Sequence, residues 1–136
     1  KFDIAGHTLD LTNVKGDMFI LGGTTDHITP WQACYRSTQL FGGKNIDFIL
    51  SQAGHMQSIL NPTGNPKAKY WRYTKGGKPP KDVKEWMKGT EEVAGSWWPY
   101  WIEWLQQRAG KQVAAKAVGS KAHRPMETAP GLYVLD

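Results

Sequence analysis

Two side chains in the first half of the sequence have the types and spacing for proton transfer. Asp26 lies in the polar loop Thr24-Thr25-Asp26-His27-Ile28, after the apolar run Met18-Phe19-Ile20-Leu21 and the pair Gly22-Gly23. His55 closes the stretch Ser51-Gln52-Ala53-Gly54-His55, after a second apolar run, Ile46-Asp47-Phe48-Ile49-Leu50. An imidazole is a general base near neutral pH, and a carboxylate beside it fixes its tautomer and stabilises the imidazolium. Together they make two thirds of an acid–histidine–nucleophile triad. Spacing alone leaves the plainer alternative open, a loop Asp making a turn and a His capping a helix.

The elements needed to bring the pair together are legible. Each apolar run is short, continuous and closed by small residues, as expected of a strand buried on both faces. Between them, Thr29, Pro30 and Gln32 read as an N-cap, a first-turn proline and the far member of a capping box. The helix they start is expected over 30–40, ending at Gly42-Gly43. A strand, a crossover helix and a second strand this close imply parallel strands with a right-handed connection. Their carboxyl ends then share one edge of the sheet, where functional loops of open α/β sheets gather. Neighbouring strands lie ~4.8 Å apart, so a contact between Asp26 and His55 is geometrically reasonable without further assumption.

Other candidates are weaker. Cys34 sits in Trp31-Gln32-Ala33-Cys34-Tyr35-Arg36, inside the expected helix and outside any Gly-x-Cys-x-Gly elbow. It reads as a small buried apolar residue rather than a nucleophile. His7, His27, His55 and Cys34 show no metal-ligand spacing, and one cysteine makes no internal disulfide. Gly22-Gly23-Thr24-Thr25 precedes a helix but lacks the Gly-Lys-Ser/Thr ending of a phosphate loop.

The 136 residues fit one domain or a piece of one. No apolar stretch approaches the ~18–20 residues of a membrane-spanning helix, and no signal-peptide pattern opens the sequence; a cytoplasmic location is expected. Charge is uneven. Residues 1–60 carry four Lys/Arg against five acids, whereas residues 61–136 carry thirteen against seven and six of the seven Trp. This basic, aromatic half reads as a solvated surface over a Trp-filled core. Its functional alternative is a surface that rests on a lipid or polymer particle. No finger spacing or arginine-rich block supports nucleic-acid binding. Within 61–136 a loop is expected at 61–66, an irregular stretch at 75–80 and a short helix at 82–88. A Trp-rich helix capped by Ser96 and ended by Gly110 follows, then an Ala/Val/Lys-rich 111–121 and an extended 129–135.

The motifs Gly22-Gly23-Thr24-Thr25-Asp26-His27-Ile28-Thr29-Pro30-Trp31 and Gly54-His55-Met56-Gln57-Ser58-Ile59-Leu60-Asn61-Pro62 resemble the C-terminal portion of polyhydroxyalkanoate synthases. The resemblance continues through Gly64-Asn65-Pro66-Lys67-Ala68, Ser96-Trp97-Trp98 and the tail Ala129-Pro130-Gly131-x-Tyr133-Val134. It implies the C-terminal part of an α/β-hydrolase fold, with residues 1–60 forming the strand–helix–strand that carries the site and 61–136 a helical, basic, Trp-rich region and tail. It implies an acyltransferase that polymerises 3-hydroxyacyl-coenzyme A into polyester and releases coenzyme A, which is part of substrate and product, so no cofactor is expected. By position, Asp26 and His55 match the family's catalytic acid and histidine. His55 would deprotonate a cysteine, which attacks the thioester and holds the growing chain. Asp26 would either orient His55 or activate the 3-hydroxyl through it, and His27 would bond the loop that presents Asp26. The implied cysteine box lies upstream of Asp26 and is not found between Lys1 and Asp26. The chain is therefore expected to be a fragment, inactive alone, that packs with an N-terminal part of the same domain. The implied partners are the substrate, the polyester granule surface and, at full length, a second copy in a homodimer. The rival expectation is a non-catalytic granule- or partner-binding module built on the Trp-rich half.

Overall fold

The computed structural model describes residues 2–135. A small antiparallel hairpin, β1 (Phe2–Ile4) and β2 (His7–Leu9), opens the chain. The first expected strand follows as β3 (Met18–Gly23), then helix α1 (Trp31–Leu40) and strand β4 (Ile46–Ser51). A short helix α2 (His55–Ile59) leads to β5 (Lys69–Tyr73), α3 (Val83–Lys88), β6 (Thr90–Ala94) and the long helix α4 (Trp98–Ala109). The sheet runs β3-β4-β5-β6; β3 and β4 are parallel, and the other two pairings are antiparallel. The class is thus α/β, and the strand–helix–strand unit stands where the sequence places it.

Each strand divides its side chains between two cores. Phe48 and Leu50 of β4 face α1 and α3, packing with Tyr35 and the fully buried Trp86, while Ile20 and Trp31 close the cluster. Ile49 faces the other way, against Tyr70 and Trp97, with Phe19 and Leu21 beside it. Burying one such side chain contributes about 1.5–3 kcal/mol, so helices on both faces are held chiefly by aromatics. Tyr35 and Phe48 meet edge-on at 5.1 Å, and Phe48 and Trp86 do the same at 5.1 Å. Arg108, at the end of α4, donates twice to Asp17 just before β3, at 2.7 and 3.0 Å, and stacks on Trp104 at 3.9 Å.

The second half differs from expectation in its strands and in its tail. Residues 61–136 are not solely helical, because β5 and β6 add two strands to the sheet. Their charged residues pair across the strands: Lys69 with Glu92 at 3.1 Å and Arg72 with Glu91 at 2.6 Å. The successive residues Tyr70 and Trp71 turn to opposite faces, Tyr70 to one core and Trp71 to the other. The helix expected at 82–88 is present, capped by the Asp82 carboxylate accepting from the Lys84 amide. The Trp-rich helix ends at Gly110, whose φ of 74° suits glycine. Residues 111–121 form no regular element, and the tail carries a 3-10 turn at Leu132–Leu135 where an extended segment was expected.

Candidate functional site

The site is built where β3 and β4 end together. Gly23 pairs with Ser51 in register, so the two loops that follow leave the sheet side by side. They are laced to each other: the Thr24 amide donates to Ser51 O at 2.9 Å, the Thr25 amide to Ala53 O at 3.2 Å, and the Ala53 amide to Thr24 Oγ1 at 3.0 Å. Ala53 is held at φ 104°, a region that residues with a Cβ seldom occupy and that costs about 1–3 kcal/mol. Two glycines permit the crowding. A Cβ on Gly22 would sit 3.1 Å from both Phe48 and Trp31, and one on Gly23 would sit 2.7 Å from Ser58 Oγ and 2.8 Å from Ala53 O. Thus α1 and α2 both pack directly on the end of β3.

Asp26 and His55 meet, as the topology allows. His55 Nδ1 lies 2.9 Å from Asp26 Oδ2. The carboxylate is saturated by further donors: the amides of Ile28 and Thr29 at 2.9 Å each on Oδ1, and Thr29 Oγ1 at 2.7 Å on Oδ2. Its side chain is only 5% exposed. The Thr29 amide, more than any other group, holds this carboxyl well below the usual carboxylate range, assisted by the Thr29 hydroxyl, His55 and the Ile28 amide against the opposing cost of burial. An ionised Asp26 can only accept, so the proton between the pair resides on His55 Nδ1. Nε2 of the neutral ring is then a lone-pair acceptor. The imidazole is 37% exposed, and no described side chain bonds Nε2, which leaves it open to an incoming group.

The expected roles of two neighbours, Thr29 and His27, change, whereas that of Cys34 does not. Thr29 does not cap α1; Pro30 takes the cap position, and Thr29 spends its hydroxyl on Asp26 instead. An Asp followed two and three residues later by free amides is a known turn-forming arrangement, and Asp26-His27-Ile28-Thr29 carried that signal. His27 does not bond the loop; it is exposed and forms no hydrogen bond among the described residues. Cys34 is half-buried within α1, with its thiol donating to Thr29 O at 3.7 Å, and packs against the Tyr35–Phe48–Trp86 core. It is not part of the Asp26–His55 pair.

Beside the pair, Thr24, Thr25 and Gln52 of the two loops, Gln57 of α2, and Asn65 and Lys67 from the segment before β5 line a cleft of about 330 Å³. Among the described residues no three His, Cys, Asp or Glu side chains form a metal-binding group, and no helix is long and apolar enough to cross a membrane.

No family model matches the chain. Several curated proteins do. Poly(3-hydroxyalkanoate) polymerase 1 of Ectopseudomonas oleovorans is 49% identical over 97% of this chain, and polymerase 2 of the same organism is 42% identical over 98%. The poly(3-hydroxyalkanoate) polymerase subunit PhaC of Cupriavidus necator is 37% identical over 98%. The match occupies 23% of each of the first two relatives and 22% of the third, so the chain spans less than a quarter of their length. The resemblance read from the motifs therefore extends over almost every residue: this chain is homologous to a portion of the polyhydroxyalkanoate synthases.

Proposed function

We propose that this chain supplies the acid–histidine part of a polyhydroxyalkanoate synthase, an acyltransferase of α/β-hydrolase type that polymerises 3-hydroxyacyl groups from coenzyme A thioesters. The observation that carries this reading is the Asp26–His55 bond at 2.9 Å, seated at the carboxyl ends of two parallel strands, in a chain homologous to named polymerases. His55 Nε2 takes the proton of a cysteine thiol from the preceding part of the domain. The thiolate attacks the thioester carbonyl, and the departing coenzyme A thiolate recovers the proton from the imidazolium. In the next step Nε2 accepts the proton of a 3-hydroxyl group, whose oxygen attacks the cysteine-bound acyl carbon. The carbon–sulfur bond breaks, the cysteine sulfur leaves and takes the proton back from the imidazolium, and the chain is longer by one ester. The near-sealed, four-donor setting of Asp26 favours an orienting and charge-stabilising role over direct contact with substrate.

On this reading the partners are the thioester substrate, the polyester granule in the cytoplasm, the N-terminal part of the same domain and a second copy in a homodimer. Cys34, tied to Thr29 O within α1, is no substitute nucleophile, so the 136 residues alone are expected to release no coenzyme A.

The rival reading is a granule-binding module, favoured by Trp101, Ile102 and Leu105, which are 38%, 46% and 38% exposed on α4. One comparison in the full-length protein separates the two. Polymer formation should stop in folded Asp26→Asn and His55→Ala variants and persist in Trp101→Ala and Ile102→Ala. If only the α4 changes matter, through lost granule attachment, the binding-module reading prevails.

A further inference from the structure

The helix that carries His55 cannot hold itself. α2 has five residues, far short of the ~12–15 at which an isolated helix becomes marginal in water. Its final carbonyls lack partners within the helix. Two consecutive residues at the entrance to α4 satisfy them, and the residue before them holds the chain just beyond the helix. Trp97 Nε1 donates to Ser58 O at 2.8 Å, Trp98 Nε1 donates to Ile59 O at 3.1 Å, and Ser96 Oγ donates to Asn61 O at 2.5 Å. The same Ser96 oxygen accepts the Trp98 amide at 3.1 Å, which ties the two indoles to one turn.

This clamp is anchored to the sheet. Trp97 is 7% exposed and packs with Ile49 and Tyr70, its ring 6.0 Å from Phe19 of β3 and 5.9 Å from Trp101. From its acceptor the path back to the site is short. The Ser58 amide donates to Gly54 O at 2.9 Å and the Ser58 hydroxyl to His55 O at 3.3 Å, while Gly23 lets Ser58 lie directly on β3. α2 is thus gripped at its start by Asp26 and at its end by the two indoles.

We infer that Trp97 and Trp98 are positioning residues for His55: their indole N–H groups anchor the carboxyl end of α2 and so keep the imidazole on Asp26. This rests on the reading of His55 as the base. It gives the Trp-rich segment a duty that packing alone does not require, since a phenyl ring would fill much of the same space without donating.

The test uses Trp97→Phe, Trp98→Phe and the double variant in the full-length protein, with the histidines labelled for NMR. The expected result, well below each variant's unfolding temperature, is a His55 Nδ1–H resonance that exchanges faster or broadens away. Alongside it, kcat for coenzyme A release should fall about ten- to a hundredfold, with KM little changed. A variant with a lower Tm but the wild-type Nδ1–H signal and kcat overturns the inference. Should Trp97→Phe fail to fold, Trp98→Phe, whose ring is only half-buried, decides it by the same two readouts. If His55→Ala proves fully active, the functional reading fails separately, and the Nδ1–H signal alone judges the clamp.

Discussion

Adding one methyl group at Gly23 should disable the site without touching Asp26 or His55. A Cβ there would lie 2.7 Å from Ser58 Oγ, 2.8 Å from Ala53 O and 2.9 Å from Ser58 Cβ. Carbon atoms rest at about 3.5–4.0 Å from one another, so α2 and the 51–54 loop must retreat by roughly 0.6 Å or more. His55 opens α2, and its bond to Asp26 is 2.9 Å long. A retreat of that size brings it near 3.5 Å, where a hydrogen bond is poor. Overpacking of this kind costs about 1–3 kcal/mol, or only about 1–3 °C in Tm for a full-length protein more than four times this size. The rate effect should be larger than the stability effect, because a displacement near 1 Å at a reacting group can cost about a hundredfold. Coenzyme A release by full-length Gly23→Ala, measured beside its thermal unfolding, reads both. Adding Ser58→Gly, which removes two of the three contacts, should restore part of the rate. A Gly23→Ala protein with wild-type rate and Tm would refute the idea that close approach of α2 to β3 sets the geometry of His55.

Other outcomes follow from the same structure. The Asp26 carboxyl titrates well below its ordinary value when folded, so its stabilising effect is complete above about pH 4 and lost as pH falls further; the stability gap between wild type and Asp26→Asn should therefore be widest near neutrality and shrink below about pH 4, as followed by denaturant unfolding at several pH values. Thr29→Val removes the hydroxyl donor at 2.7 Å and should raise the Asp26 pKa, while Thr29→Ser should not; NMR titration of the carboxyl reads the difference. Burial holds the Tyr35 and Tyr100 phenols up at about 12 from 10.0, the Tyr100 hydroxyl also facing Asp47 at 3.1 Å. Both favour the folded state below pH 10 and lose that contribution as pH rises towards 12, so alkaline unfolding should coincide with phenolate formation in the ultraviolet spectrum. Ala53→Gly relieves a φ of 104° and should be neutral or raise stability by up to about 1 kcal/mol, against the usual cost of adding a glycine.

The strand–helix–strand unit was legible because burial on both faces leaves continuous apolar runs, and because Gly22-Gly23 and Gly42-Gly43 punctuate them. From that topology the meeting of Asp26 and His55 was geometrically reasonable without knowledge of any side-chain position. β6 was hidden for a physical reason. Thr90-Glu91-Glu92-Val93-Ala94 looks polar until its charges are paired across strands, a property of the sheet rather than of the segment, whereas Lys69-Tyr70-Trp71-Arg72-Tyr73 carries strand-favouring aromatics that were passed over. Thr29 was misread because a Thr before Pro satisfies the rule for a helix cap, whereas the nearby carboxylate competes better for its hydroxyl. The Trp-rich stretch was expected to fill the core, yet only Trp97 of it is buried and Trp101 is exposed, and nothing local says that two of its indoles reach the carbonyls of Ser58 and Ile59, thirty-nine residues upstream in each case.

The claim at the centre is that His55, oriented by Asp26, moves the protons of acyl transfer. Its most direct test is single-turnover release of coenzyme A from 3-hydroxybutyryl-coenzyme A by the full-length protein and its His55→Gln and Asp26→Asn variants, each shown to be folded. The account predicts a rapid burst from the wild type and a fall of at least about a hundredfold in both variants. A burst of wild-type rate and amplitude from folded His55→Gln would contradict it.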